Sequence, residues 1–249
     1  MRAIIIGAGR GQRLMPATAD TPKCFAEVGG RRILDWALTA FAANGIDRIA
    51  FIGGYQIDKV RAAYPQFTFR HNVDWPNNNI LASLMYAEDL MDEPFVCCYS
   101  DILFTADVVC RALTNPADIA LVVDTDWLGR YTHRSEHPPD DAEKVTISDG
   151  RITRVHRAIP TEDAHGEYIG LARFSAAGAK TLRDHYHRCR ASYAGKPFRE
   201  AKVFEKAYLI LLFQEMIERD VNFSAVETPG GYMEVDTQQD FDLARRFWR

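Results

Sequence analysis

Short apolar segments alternate with helical patterns over the first half of the chain, and this alternation restricts the fold more than any other feature. Strands are predicted near residues 2–6, 48–53, 67–71, 94–99 and 118–124. Helices are predicted near residues 32–44, 56–64, 79–91 and 106–114. The alternation is typical of an α/β domain with a largely parallel sheet, because each helix carries the chain back across the sheet.

The pattern changes in the polar segment 124–143, which is interpreted as a long surface excursion of a kind that is often functional. The following "VTISDGRITRV" predicts a hairpin with Asp149 and Gly150 as its turn. A further strand is expected near 167–174 and a helix near 176–190. The segment "GGYMEVDTQQDFDLARRFW" predicts a last strand and a capped helix.

The segment 203–219 is apolar over more than one helical face. Such a helix is usually covered on two sides in the core or lies at a subunit interface, so a homodimer is one of two explanations. The sequence contains no internal repeat, low-complexity segment or linker. We therefore expect a single domain over residues 1–249, with an acceptor-side excursion and hairpin at about 124–175.

Charge and composition disfavour several classes of protein. The 249 residues carry a net charge of −4, which argues against a nucleic-acid partner. No apolar run approaches the roughly 20 residues of a membrane-spanning helix, so no membrane insertion is expected. The five cysteines contain no C-x-x-C pair and are interpreted as reduced thiols of a cytoplasmic protein. The seven histidines have no metal-ligand spacing, which disfavours zinc.

The first apolar segment ends in a glycine-rich loop, "IIIGAGRGQRLMPATADTPKCF". Glycines at this point let backbone amides approach an anion closely. Their G-x-G-x-G spacing and the prolines that follow do not match the dinucleotide fingerprint, and a Walker A sequence is absent. A loop that wraps a whole triphosphate explains Arg10, Arg13 and Lys23 together. A surface turn with solvated basic residues stays open on the pattern alone.

The segment "GAGRGQRLMPATADTPKCFAEVGGRRILDWAL" resembles the signature of the sugar-phosphate and choline-phosphate nucleotidyltransferases. Further segments resemble this family in the same order: "GIDRIAFIGGY", "NNNILASLMYA", "YSDILF", "GEYIGLARFSAAGA" and "YMEVDTQQDFDLA". The resemblance covers nearly all of residues 1–247. Within the family, "DAEKV", "HGEYIGL" and "KAYLILLFQEMI" look closest to phosphocholine or phosphonate (2-aminoethylphosphonate-type) cytidylyltransferases. The family resemblance implies a Rossmann-like three-layer α/β/α sandwich around a mostly parallel mixed sheet.

The resemblance also implies a Mg²⁺-dependent reaction that transfers CMP from CTP to a small phosphate or phosphonate head group and releases pyrophosphate. The attacking oxygen is already charged at neutral pH, since the second pKa of a phosphate monoester is about 6. No general base or covalent nucleophile is therefore required. The site has to supply positioning and charge neutralisation between two anions that repel each other.

Four residues are the predicted catalytic set. Asp101 follows the apolar segment "FVCCYS" and Asp236 follows "YMEV", so both are expected at strand ends, where two carboxylates would hold Mg²⁺. "DTQQD" is also a good N-cap sequence, which gives Asp236 a second explanation. Lys23 is expected to reach the triphosphate. The resemblance makes Lys144 the candidate that holds the phosphate of the acceptor.

Two larger groups of site residues are predicted. The nucleotide-binding residues are Gly7, Ala8, Gly9, Arg10, Gly11, Arg13, Lys23, Gln56, Asn78 and Ser83. The acceptor-binding residues are Trp127, Arg130, Tyr131, Lys144, Arg157, Glu167 and Tyr168. Arg157 stands where relatives often carry lysine, which leaves its role open because the two cations differ in geometry. Gln56, Asn78 and Ser83 are equally explained as turn or cap residues.

The kind of acceptor stays open. A quaternary ammonium such as choline needs aromatic faces. The aromatic candidates are Trp127, Tyr131, Tyr168 and Tyr232. A primary amine, as in aminoethylphosphonate, would prefer carboxylates, and the candidates are Asp124, Asp126 and Glu167. Arg130 and Arg134 would instead suit an acceptor with additional negative charge.

Other functions were weighed against this one. A uridylyl- or thymidylyltransferase acting on a sugar 1-phosphate is the nearest competitor, because pyrimidines present similar edges. A glycosyltransferase usually carries D-x-D, whereas this chain has Y-S-D. A non-catalytic nucleotide-sensing domain of the same fold would be expected to lack Lys23 or one aspartate, and none of these is missing.

Overall fold

Strands and helices alternate along the chain in a computed structural model, as the sequence pattern predicts. The structure describes residues 1–15 and 18–249, so Pro16 of the family signature lies outside the described residues. The strands are β1 Arg2–Gly7, β2 Glu27–Val28, β3 Arg31–Arg32, β4 Arg48–Gly53, β5 Thr68–His71, β6 Phe95–Tyr99, β7 Ile102–Phe104, β8 Ile119–Asp124, β9 Lys144–Ser148, β10 Arg151–Val155, β11 Gly166–Phe174, β12 Ser224–Thr228 and β13 Tyr232–Glu234. The α-helices are α1 Ile33–Ala42, α2 Ile57–Ala63, α3 Ile80–Met85, α4 Ala106–Thr114, α5 Trp127–Tyr131, α6 Ala176–Tyr193, α7 Leu209–Ile217 and α8 Gln238–Phe247.

The main sheet is mixed, with the strand order β5-β4-β1-β6-β11-β8-β12-β10-β9. Strands β5, β4, β1 and β6 pair in parallel, and so do β8 and β12. Strand β11 runs antiparallel to β6 and β8, and β10 runs antiparallel to β9 and β12. The predicted parallel arrangement is therefore confirmed for the first four strands of this order and for the pair of β8 and β12, and the other pairings are antiparallel. The tight hairpin between β9 and β10 can join only antiparallel strands.

Strand β11 has two neighbours along one of its edges. Its residues 171–174 pair with β6, and Gly166 and Glu167 pair with β9. The second pairing links β11, β8, β12, β10 and β9 into a closed, barrel-like ring, which the sequence did not predict. Strand β9 pairs with the edge of β11 beyond the point where β6 ends. The start of β9 therefore lies beyond the carboxyl end of β6.

Helices cover both faces of the sheet. Helices α3, α6 and α7 form one core with Ile4 and Ile6, and α1, α2 and α4 form the other with Ala3 and Ile5. Alternate residues of β1 enter opposite cores because successive side chains of a strand point to opposite faces. The order helix, sheet, helix is consistent with the three-layer sandwich that the family resemblance implies. None of the described helices combines the length and the apolar character needed to cross a bilayer.

The second half of the chain confirms several predicted elements. The hairpin turn consists of Asp149 and Gly150, at φ values of 51° and 72°. The helix predicted at 203–219 is shorter than expected, because a 3-10 turn, Phe204–Lys206, precedes α7. Every residue of α7 except Glu215 is buried within the chain. This burial accounts for the wide apolar face without a subunit interface. The homodimer stays a prediction, and so does a single domain over the whole chain.

Candidate active site

The glycine loop after β1 continues into a 3-10 turn, Gln12–Leu14, and not into an α-helix, as the sequence predicts. The turn begins at Gly11, whose φ of 67° lies in the left-handed region. The hydroxyl of Thr18 donates to the carbonyl oxygen of Gly11 at 2.8 Å. A Cβ atom at Gly11 would lie 3.0 Å from the Cβ of Lys23. Glycine is therefore needed here for its conformation and for close contact with Lys23.

Lys23 lies at the centre of an ion cluster. Its Nζ atom is 2.6 Å from Asp101 Oδ2 and 2.6 Å from Asp236 Oδ1, and the residue is only 7% exposed. Burial opposes the charge, but the two carboxylates outweigh it and raise the pKa of Lys23 above its ordinary value. Burial likewise opposes the charge of Asp236, but Lys23 and Arg13 outweigh it and lower the pKa of this aspartate. Lys23 and Asp236 are therefore both ionised at neutral pH.

Two strand ends bring the aspartates together. Asp101 lies between β6 and β7, and β7 pairs antiparallel with β13 so that Ile102 is opposite Glu234. The amide of Val235 then donates to the carbonyl oxygen of Asp101 at 2.9 Å. Asp236, the next residue, meets Asp101 across this small sheet. The two predicted metal ligands thus converge through the pairing of β7 with β13.

Thr237 caps the last helix, and Asp236 does not. The hydroxyl of Thr237 accepts a hydrogen bond from the amide of Asp240 at 3.1 Å, and Asp240 Oδ2 accepts one from the amide of Thr237 at 2.9 Å. This is a complete capping box. The carboxylate of Asp236 instead forms ion pairs with Lys23 and Arg13. The explanation of Asp236 as a helix cap is therefore wrong.

The two loop arginines differ in their contacts. Arg13 forms an ion pair with Asp236, and its NH1 atom lies 3.8 Å from Asp141 Oδ2. The guanidinium carbon of Arg10 lies 5.5 Å from the centre of the Tyr55 ring, and this arginine is exposed. Arg13 therefore belongs to the charged cluster around Lys23, whereas Arg10 is free to meet a ligand from solvent.

A cavity of about 660 Å³ opens beside the glycine loop and is referred to below as the nucleotide cavity. The predicted residues that line it are Gly7, Ala8, Gly9, Arg10, Gly11, Arg13, Lys23, Asn78 and Ser83. Gln56 is not among the described lining residues and is instead the N-cap residue that precedes α2, at a φ of 54°. A separate cavity of about 780 Å³, near the turn between β9 and β10, has no predicted site residue in its described lining.

A buried asparagine supports one wall of the nucleotide cavity. The Asn72 amide donates to Asn78 Oδ1 and to the Ser83 hydroxyl, both at 2.9 Å. Asn78 returns a hydrogen bond to Asn72 Oδ1 at 2.9 Å. Asn72 is fully buried, and the sequence analysis did not single it out. The network fixes the orientation of Asn78, since both ends of its amide are paired.

A second, much smaller cavity of about 60 Å³ adjoins the first and is referred to as the enclosed cavity. Its lining residues are Arg13, Tyr99, His137, Asp141, Glu143, Arg157, Glu167, Tyr168, Ile169, Tyr232, Glu234 and Asp236. Arg13, Tyr99 and Asp236 line both cavities. Two ligand spaces therefore meet at the ion cluster of Lys23.

Three glutamates line the enclosed cavity, of which Glu143 and Glu167 are buried and Glu234 is half-buried. Burial raises the pKa of Glu143 and of Glu167 to about 7, and burial also raises the pKa of Glu234. Glu143 accepts hydrogen bonds from the Tyr99 hydroxyl at 3.1 Å and from Arg157 at 3.5 Å. The cavity is thus rich in carboxyl groups whose charge depends on what binds there.

The predicted acceptor-binding residues separate into two groups. Arg157, Glu167 and Tyr168 line the enclosed cavity. The remaining four, Trp127, Arg130, Tyr131 and Lys144, are not among its described lining residues.

These four residues contact other parts of the excursion. Trp127 and Tyr131 pack together with Ala142, and Arg130 forms an ion pair with Asp124. The ammonium of Lys144 donates to the carbonyl oxygen of Pro139 at 3.0 Å. The hydroxyl of Tyr131 donates to Glu167 Oε1 at 2.6 Å, which connects this group to the cavity wall. Contacts of these four residues with an acceptor stay predictions.

Several lining residues were missed by the sequence analysis although a signal existed for some. Tyr99 is two residues before Asp101, and Glu234 is two residues before Asp236. Each is the last residue of its strand, and the aspartate follows just beyond the strand end, so a residue at this position is expected near the site. Glu143 and His137 carry no such signal, because they lie in the irregular excursion.

The described residues offer one further group of metal-ligand atoms. Atoms of His137, Glu234 and Asp236 lie within 4.8 Å of one another. His137 Nδ1, however, lies 2.6 Å from an Arg134 nitrogen, and Glu234 also pairs with Arg134 at 3.2 Å. The carboxylate oxygens of Asp101 and Asp236 both contact the ammonium of Lys23, and this pair suits a hard ion such as Mg²⁺ better than the group with His137 does.

Comparisons with known proteins agree with this geometry. Residues 3–165 match the family described as the MobA-like NTP transferase domain. A CTP:phosphoglutamine cytidylyltransferase from Campylobacter jejuni is 29% identical over 253 residues, covering 98% of each chain. A 2-aminoethylphosphonate cytidylyltransferase from Lancefieldella rimae is 30% identical over 190 residues, covering 74% of this chain and 71% of that protein.

A solved structure shares the fold. The CTP:phosphocholine cytidylyltransferase from Streptococcus pneumoniae superposes with a TM-score of 0.74 at 18% identity, covering 100% of this chain and 99% of the other. The resemblance to nucleotidyltransferases that the sequence motifs indicated is thereby confirmed. With a glycine loop, a lysine and two aspartates gathered where two ligand spaces meet, the chain belongs to the family of MobA-like NTP transferase domains and is a nucleotidyltransferase.

Proposed function

We propose that the protein is a cytidylyltransferase that joins CMP from CTP to a small phosphate or phosphonate head group and releases pyrophosphate. One observation carries the proposal: the nucleotide cavity and the enclosed cavity share Arg13, Tyr99 and Asp236. Two anionic substrates could therefore approach the same ion cluster from two sides. The two relatives named as cytidylyltransferases support CTP as the nucleotide.

The residues of the chain supply positioning and charge. The amides of the glycine loop and the side chains of Arg10 and Arg13 would contact the triphosphate. The ammonium of Lys23 would oppose the negative charge that develops at the α-phosphorus. Because the acceptor oxygen is already anionic at neutral pH, no residue has to remove a proton from it.

Mg²⁺ is proposed as the cofactor, with Asp101 and Asp236 as its ligands. The support is chemical, since two carboxylates already converge on one cationic atom, the Nζ of Lys23. When bound, the ion would neutralise phosphate charge during the transfer. A cytoplasmic location stays a prediction from the cysteine content.

Pyrophosphate release tests the proposal. Each of CTP, UTP, ATP and GTP is combined with Mg²⁺ and with phosphocholine, 2-aminoethylphosphonate, phosphoglutamine or glucose 1-phosphate. We expect turnover with CTP and one of the first three acceptors. Preference for UTP and the sugar phosphate would instead support a uridylyltransferase. Nucleotide binding without turnover on the full panel would support the sensing domain.

Substitutions test whether the reaction takes place at the ion cluster of Lys23. Asp101→Asn is expected to lower kcat/KM by about 10²–10³-fold, the loss typical for a group that stabilises the transition state. Asp184→Asn is the matched control, because Asp184 pairs with Lys180 on the exposed face of α6. Full activity in a folded Asp101→Asn protein would contradict the assignment of the site.

A further inference from the structure

One carboxylate oxygen in the wall of the enclosed cavity has no partner. Glu167 is 4% exposed, and its Oε1 atom accepts the hydrogen bond from the Tyr131 hydroxyl. Its Oε2 atom is buried and has no hydrogen-bond partner within the described part of the chain. The hydroxyl of Tyr168, in the same cavity wall, is buried without a partner as well. Buried polar atoms are almost always paired, so these two oxygens are expected to meet a ligand.

The other acids of the wall already have cationic partners. Glu143 is 3.5 Å from Arg157, Glu234 is 3.2 Å from Arg134, and Asp236 is paired with Lys23. No ion pair of Glu167 is found among residues 1–15 and 18–249. Glu167 is therefore the acid of this cavity that has no ion pair, and Arg130 and Arg134 act on its charge only from a longer distance.

We propose that the enclosed cavity takes a primary ammonium group of the acceptor and that Glu167 determines this specificity. The inference rests on the proposed function, because it describes the acceptor of that reaction. An ammonium with N–H bonds would donate to Glu167 Oε2 and pair this oxygen, while the Tyr168 hydroxyl lines the same cavity and is open to a second contact with the acceptor. The phosphate or phosphonate of the same molecule would then lie at the boundary of the two cavities, near the guanidinium of Arg13.

A quaternary ammonium fits this cavity less well for two reasons. It has no N–H bond, so both oxygens would stay unpaired after burial. It also needs open aromatic faces. The guanidinium of Arg130 already lies 5.2 Å from the centre of the Tyr232 ring, and Tyr99 and Tyr168 contact each other edge to face at 6.2 Å.

The size of the cavity admits a small cationic group. A volume of about 60 Å³ holds roughly four water-sized groups, at about 15 Å³ each. The volume alone does not separate a trimethylammonium group from a primary ammonium on a two-carbon chain, so the choice between them rests on the unpaired oxygens.

Three phosphonates that differ only at one end test the proposal. They are 2-aminoethylphosphonate, the uncharged isostere propylphosphonate, and 2-(trimethylammonio)ethylphosphonate. Binding of each is measured by calorimetry in the presence of CTP, and turnover by pyrophosphate release. We expect the primary amine to bind about 10- to 100-fold more tightly than either analogue, the range expected for a hydrogen bond to a charged group.

Glu167→Gln identifies the residue responsible. Glutamine keeps an oxygen for the Tyr131 hydroxyl, so the fold should be retained. The variant should lose the preference for the amine and bind propylphosphonate as the wild type does. Glu162→Gln, a change at an exposed glutamate of a 3-10 turn, is the matched control and should keep the preference. Tyr168→Phe removes the second free oxygen and should weaken amine binding by about 3- to 10-fold.

The outcomes separate the two proposals. Equal affinity of the wild type for the three phosphonates, or an unchanged preference in Glu167→Gln, would overturn the role of Glu167. Turnover without amine preference would leave the cytidylyltransferase function intact while refuting this inference. Amine-selective binding without pyrophosphate release from any nucleotide would support the ammonium site and contradict the proposed function.

Discussion

Replacing Lys23 by methionine removes the cation that joins Asp101 to Asp236 while keeping most of the side-chain volume. Breaking a fully buried ion pair typically costs about 3–5 kcal/mol, because a charge is left without a partner. Here the cost should be smaller, since Asp236 retains Arg13 and the side chain of Asp101 is 25% exposed. We expect the free energy of unfolding to fall by about 1–3 kcal/mol and kcat/KM by about 10²–10³-fold.

The same variant should respond more strongly to Mg²⁺. In the wild type, the ammonium of Lys23 and a divalent ion compete for the carboxylates of Asp101 and Asp236, which weakens binding of the ion. Without the ammonium, millimolar Mg²⁺ should raise the Tm of Lys23→Met by several degrees more than that of the wild type. Thermal melts with and without Mg²⁺ measure this directly.

Lys180→Met is the matched control, because Lys180 pairs with Asp184 on the surface, far along the chain from the loop. It should keep both the activity and the Mg²⁺ response of the wild type. If Lys23→Met melted at the same temperature as the wild type and gained nothing from Mg²⁺, the idea that Lys23 and the ion share the two carboxylates would be refuted.

Three further predictions concern the loop, the last helix and the enclosed cavity. Gly11→Ala should lose about 1 kcal/mol of stability, because alanine is strained in the left-handed backbone, and about 10-fold in kcat/KM, because the new methyl group displaces Lys23. Gly195→Ala is the control: its φ of 68° is similar but the space around it is open, so only stability should fall. Urea unfolding measures the stability and the pyrophosphate assay measures the activity. Thr237→Ala should cost about 1 kcal/mol through loss of the helix cap and leave kcat within about 3-fold of the wild type, so a larger loss of activity would contradict the separation of cap from site. Burial raises the pKa of Glu167 from 4.5 to about 7, so between these pH values the folded protein holds a proton that the unfolded chain has released. The resulting contribution to the free energy of unfolding is present below pH 4.5 and is lost as pH rises through 7. The stability difference between Glu167→Gln and the wild type, measured by urea titration, should therefore shift by roughly 3 kcal/mol across that range.

The sequence was sufficient to predict the part of the site that is built on strand ends. Asp101 and Asp236 each follow a short apolar segment, which predicts a position at a strand end. Asp101 follows β6 of the main sheet, whereas Asp236 follows β13 of a separate two-stranded sheet. The pairing of β7 with β13 supplies the contact, and neither strand is longer than three residues. Such short strands leave almost no periodic signal, so this pairing itself could not be predicted.

The acceptor side was harder to predict for a different reason. Trp127 and Tyr131 are predicted acceptor-binding residues, and both are buried against Ala142. An aromatic residue in an irregular segment can belong to a core or to a binding surface, and the sequence pattern does not separate the two. Glu143 lies in the enclosed cavity because β9 pairs with β11, a contact between segments distant in sequence. Residue patterns within a segment carry no information about such a partner. Glu167 was predicted as an acceptor-binding residue, and it lies in the wall of the enclosed cavity.

Strand β11 pairs with β6 at one end and with β9 at the other end, and this has a consequence for how the protein can evolve. Gly170, at a φ of 78°, stands between the two pairings, and a side chain there would collide with the ring of Tyr99. Glu167, Tyr168 and Ile169, which precede this glycine, line the enclosed cavity, whereas residues 171–174 pair with β6, the strand that leads to Asp101. Under the proposed function, substitutions at one end of this strand would change the pocket of the acceptor and leave the support of Asp101 in place.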